Sequence, residues 1–246
     1  MKLPLKLEWA KLRRTPLKVA AVAIPAIGSL VALVIPLQHP SSVWWDYIAA
    51  SLTITHAVLI PLAMGLAAAF VFGREYVDGT ASWLRLSRYA AWQVVAAKCL
   101  VVLSLGALMT ALALASALLF GLFARLDGFY WALVGKYIVA GVLACVIAAS
   151  TAPLFALVAT WQQDYFLTSA LALATPLSGL LTMSGAFSRL NPWGLPMLYV
   201  SRFLSLVLRD PAAPLTPVWR TALVTAVIGL IGTVAVQSRA NILSER

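Results

Sequence analysis

Six apolar runs, each almost free of charge, divide the chain at 18–37, 48–72, 99–123, 133–160, 165–187 and 218–237. A helix rises about 1.5 Å per residue and the hydrocarbon layer is about 30 Å thick, so roughly 20 such residues suffice for a crossing. The runs are continuously apolar rather than alternating, which selects a helix bundle over an outer-membrane barrel. A mean hydropathy of +0.93, with 62% hydrophobic and 11% charged residues, excludes a soluble globular domain. The sequence predicts an all-α, polytopic membrane protein of six transmembrane helices in a single domain, 1–246. Within it, 1–17 is an interfacial helix, 18–187 holds spans one to five, 188–217 is an outer segment, and 218–246 is the last span with its tail.

The formal net charge is +10. In a soluble protein that would suggest nucleic acid, but in a membrane protein the distribution of cations between the two sides carries the information. With the N-terminus inside, the cytoplasmic side receives the cations between Lys2 and Lys18, then Arg74, Arg85, Arg88, Lys98, Arg239 and Arg246. That is two thirds of the 18 cations, so both termini are expected in the cytoplasm and no nucleic-acid partner is expected. Residues 3–18 place Leu5, Trp9 and Leu12 on one helical stripe and Lys6, Lys11, Arg13 and Arg14 elsewhere, with Glu8 between them. Such a helix suits the cytoplasmic lipid interface. It is expected to be retained, because the apolar run after it has the length of a full span rather than of a signal peptide.

The stretch 188–217 reads differently from the spans. Five prolines lie in and around the apolar piece 195–208, which is too short to cross and carries Arg202 at its centre. A re-entrant or interfacial segment on the outer side is expected there. In the third run, Ala113, Ala117 and Gly121 are spaced four apart, a pattern that permits close helix approach within the chain or between two chains.

Residues able to perform chemistry are few. No P-loop, HExxH or GxSxG string is present, so the chain is not expected to hydrolyse ATP or to act as an enzyme. Cys99 and Cys145 lie in or beside apolar runs without metal-ligand spacing, and neither a metal site nor a disulfide is expected. His56 is the one titratable residue deep in a run. With Thr53, and with Asn191 and Trp193 farther on, it could line a substrate path; a neutral histidine hydrogen-bonded between helices is the plainer reading. Otherwise the expected interior is apolar and without buried charge, which favours a hydrophobic or amphipathic cargo. An intramembrane enzyme built on His56 lacks a second deep titratable residue, and a noncatalytic assembly factor is a further alternative.

The polar interruption 72–98 is longer than a helical hairpin requires. It holds Arg74, Glu75, Asp78, Gly79, Thr80, Trp83, Arg85, Arg88 and Lys98. Asp78, Gly79 and Thr80 supply turn and cap chemistry, and Trp83, Leu84 and Leu86 give a short apolar face. A short helix there, flanked by Arg85 and Arg88, would suit insertion into a partner's groove. Simple rest on lipid is disfavoured, because anionic headgroups repel Glu75 and Asp78.

The run REYVDGTASWLRLSR resembles the segment after the second span of type-two permeases of ATP-binding-cassette (ABC) exporters, with Glu75, Gly79, Thr80, Arg88 and Lys98 in matching order. LEWAKLRRTP is similar to the family's N-terminal interfacial helix, and Asn191, Pro192 and Trp193 resemble its outer Asn-Pro-aromatic segment. The resemblance implies a noncatalytic transport subunit in a bacterial cytoplasmic membrane, paired with a second permease, identical or homologous. It further implies two copies of an ABC ATPase that carry the ATP and magnesium, and a cytoplasmic coupling helix between spans two and three. The short outer loops look similar to those of permeases that give immunity to lantibiotics and other peptide antibiotics.

Overall fold

The computed structural model describes residues 2–12, 15, 17–38, 43–80, 89–182, 191–208 and 216–243. Among these residues the chain forms eight helices and no strand. They are α1 (Lys2–Leu12), α2 (Leu17–Leu37), α3 (Trp44–Val77), α4 (Ala91–Phe123), α5 (Trp131–Gln162), α6 (Phe166–Thr182), α7 (Leu195–Leu208) and α8 (Thr216–Leu243). Five are long and apolar enough to cross a membrane: α2, α3, α4, α5 and the stretch Pro217–Ser238 of α8. Helix α6, where the fifth span is expected, has 17 residues, which is about 25 Å of helix.

Local chemistry explains where the helices stop. Arg125 follows α4 at φ 50° and Gln163 follows α5 at φ 56°, and this left-handed backbone cannot continue a helix. Asn191 accepts a bond from the Trp193 backbone N–H at 3.1 Å and so caps a single 3₁₀ turn, Pro192–Gly194, that leads into α7. Its Nδ2 also donates to the Ser178 carbonyl at 3.2 Å, which draws the chain back beside α6.

Two apolar cores stack along the bundle. One joins Leu12, Ile60, Met64, Phe72, Val101, Met109 and Phe155. The other joins Trp44, Tyr47, Leu52, Tyr137, Leu198 and Tyr199, so α7 is packed into the end of the bundle that holds Trp44. Helix α5 is central and packs on α8, α3 and α4. Ala113, Ala117 and Gly121 are buried within the chain, Gly121 directly beneath the Trp44 ring, so their spacing serves intramolecular packing of α4 on α2 and α3.

Helix α3 contains a feature without an obvious periodic signal, a π-helical stretch at Leu52–Leu59. Pro61 stands two residues beyond its end; that ring has no N–H and crowds the carbonyl four residues back, inside the stretch, and widening the preceding turns relieves the clash. Within this stretch Thr53 donates to the Ala49 carbonyl at 2.9 Å.

Candidate functional site

The candidate site lies where α1 meets the last turns of α3 and the first turns of α4. Glu75, only 6% exposed, holds two lysines: its Oε1 is 2.5 Å from Lys11 Nζ on α1, and its Oε2 is 2.6 Å from Lys98 Nζ on α4. Lys11 also bonds Glu8 at 2.8 Å. Lys98 is 0% exposed, donates a second bond to the Val71 carbonyl at 3.0 Å and lies 5.2 Å from the Phe72 ring centroid. One carboxylate thereby ties three helices together.

Helix registry sets this geometry. Glu75 and Phe72 lie three apart on one face of α3, and Val71 one turn back supplies a carbonyl on that same face. Arg74, the residue before Glu75, pairs with Asp78 at 2.9 Å, lies 5.5 Å over the Phe70 ring and reaches the Lys11 carbonyl at 3.5 Å. It thus meets one of the backbone acceptors that the end of α1 leaves open. Asp78 and Gly79 close α3 through bonds from their N–H groups to Arg74 and Tyr76 carbonyls, and Gly79 does so at φ +68°, a conformation that disfavours any side chain. Thr80 Oγ1 donates to the Glu75 carbonyl at 3.4 Å.

Electrostatics favours the charged form of Lys11. Burial works to lower the Lys11 pKa, but the Glu75 and Glu8 carboxylates more than offset it, so Lys11 titrates above its usual 10.5. Beside the ion pairs is a cleft of about 370 Å³ with an apolar wall of Leu12, Phe70, Val71 and Val94 and a rim that includes Glu8, Lys11, Arg74 and Asp78.

One sequence expectation is corrected. The interruption 72–98 is not wholly an exposed loop: α3 continues to Val77 and α4 begins at Ala91, so Glu75 and Lys98 face inward and the interior does contain buried charge. Helix α1 buries Glu8 and Leu12 and leaves Trp9 39% exposed. Arg13, Arg14, Trp83, Arg85 and Arg88 lie outside the described residues. His56 is buried against Tyr137, with ring centroids 5.6 Å apart, whereas Trp193 packs on the core around Met64, so the two ends of the expected substrate path have different neighbours. The Lys11–Glu75–Lys98 link escaped sequence reasoning, although its signal was present: a lysine eight residues inside the apolar helix α4 must find a carboxylate. Among the described residues no group of His, Cys, Asp and Glu could hold a metal ion.

Fold and site define a multi-pass helical membrane protein with a charged clamp at one end of its bundle. A family model described as ABC-2 family transporter protein matches residues 4–179, and the chain belongs to that family: it is a membrane permease subunit of an ABC transporter. The match contains every residue of the clamp, while α7 and α8 lie beyond it. No curated protein matches the chain.

Proposed function

We propose that this permease is the export subunit of a transporter whose ABC ATPase docks on the connection between α3 and α4. The observation that carries this reading is the Glu75 clamp, which makes α1, α3 and α4 one body immediately beside that connection. A push delivered around Trp83 would be carried into two long helices at once, because neither can shift against the other without breaking a buried ion pair. ATP and magnesium then belong to the partner, two copies of which serve two permease subunits. The cations concentrated at the clamp side favour its placement in the cytoplasm of a bacterial cell, with both termini on that side. The cargo is hydrophobic or amphipathic, with membrane-active peptides such as lantibiotics as the leading class.

Purification of the tagged chain from its native membranes should retain a P-loop ATPase identifiable by mass spectrometry. Trp83→Ala should release it while the permease stays folded. A folded permease that retains no such ATPase overturns the reading, and a gene deletion that leaves sensitivity to membrane-active peptides unchanged overturns the cargo assignment.

A further inference from the structure

The π-helical stretch Leu52–Leu59 occupies the border between the two apolar cores: Leu52 and Ala57 pack in the Trp44 core, and Ile60 onward in the Met64 core. Two glycines on neighbouring helices receive its bulge. A Cβ on Gly28 of α2 would stand 2.6 Å from Thr55 Oγ1, and one on Gly141 of α5 would stand 2.8 Å from His56 Nε2. Ser51, just before the stretch, has its Oγ 2.7 Å from the Tyr137 Oη, and the His56 ring packs edge-on against that same tyrosine.

The stretch is held by shape more than by bonds. Thr55 is fully buried and His56 is 1% exposed, yet Thr55 Oγ1 and both imidazole nitrogens have no hydrogen-bond partner in the protein. The Ser51 backbone lies near the imidazole without making a hydrogen bond of good geometry to it. Buried polar groups left unbonded raise the free energy of the arrangement that strands them. A π turn also carries slack, since returning to α geometry turns everything beyond it about the helix axis.

We infer that Leu52–Leu59 is a joint in α3 with two resting positions, in which His56 lodges against Gly141 in one and leaves it in the other, letting the Glu75 end of the helix swing while the Trp44 end stays packed. The direction of that swing rests on the coupling reading above; the existence of two positions does not.

The test uses the full chain in lipid nanodiscs with Cys99 and Cys145 replaced by alanine. Nitroxide pairs are placed by Asp46→Cys with Val77→Cys across the joint, and by Trp92→Cys with Phe123→Cys across α4, which has the same spacing without a π stretch. Double electron–electron resonance should give two distances across α3 and one across α4. His56→Leu, which removes the stranded nitrogens, should abolish the second α3 distance. If His56→Leu fails to fold, Gly141→Ala must shift the balance of the two populations. A single distance across α3 equal in width to that across α4, or two distances indifferent to the substitution, overturns the joint. Added ATPase and ATP should shift the balance; if they do not while two positions persist, the coupling reading fails and the joint stands.

Discussion

A fully buried ammonium tolerates few surroundings, and Lys98 has all that it needs: a carboxylate, a carbonyl and the face of an aromatic ring. Removing one partner of such a pair strands the other in a medium that cannot solvate it, at a cost of about 3–5 kcal/mol. Lys98→Met should therefore lower stability by that order in reversible denaturation of the detergent-solubilised protein. Combining it with Glu75→Leu should recover much of the loss, because no buried charge remains and Lys11, which is partly exposed, can turn to water. A double variant as unstable as the single would show that the ion pair is not what holds these helices. The need for this pair was legible in sequence, since an apolar helix carries a lone lysine. Its partner was not, because Glu75 lies 23 positions away on another helix and only the antiparallel register of α3 and α4 brings them together.

At the scale of the element, α1 is fixed by a buried Leu12 and by Lys11 and Glu8 on the same side. Lys11 titrates above 10.5 in the folded chain, so its contribution is fully present below the unfolded value and is lost as pH rises through the folded one. A fluorophore on Leu7→Cys, in a chain whose native cysteines are replaced by alanine, should report an unchanged α1 from pH 7 to about 10 and release only above that. Release near pH 8 would mean that α1 is held by something other than this lysine. The existence of α1 could be read from sequence, but the burial of Glu8 could not. The apolar stripe is visible in the sequence, but nothing in it says that Glu8 turns inward beside Leu12, where Lys11 meets both Glu8 and Glu75. The π stretch in α3 was also hidden, since Pro61 marks a disturbance without saying whether the helix kinks or widens.

Across the whole molecule the parity of crossings decides which ends share a side. Five helices are unambiguous in length, and α6 is the one on which the count turns. At about 25 Å it spans only if the bilayer thins locally or the chain beyond Thr182 contributes. Single cysteines at Phe166→Cys and Leu181→Cys, both on exposed positions in an otherwise cysteine-free chain, should react with an impermeant maleimide from opposite faces of sealed vesicles. Reaction from the same face would make α6 a half-crossing and place α8's two ends opposite to expectation. The apolar runs gave this outline directly, because hydropathy over 20 residues is a property of the segment alone. The seating of α7 was less legible: its shortness was visible, but the Asn191 bridge to Ser178 that folds it back beside α6 depends on contacts between separate elements.

The Glu75–Lys98 pair also bears on how the chain enters a membrane in the first place. A nascent α4 arriving at the insertion machinery brings a positive charge near its start that is penalised when presented to lipid by itself. Helix α3 emerges just before it and carries the neutralising carboxylate, so the two are best released sideways together as a hairpin rather than one after the other. The order of synthesis and the position of one glutamate thus let the second crossing help the third.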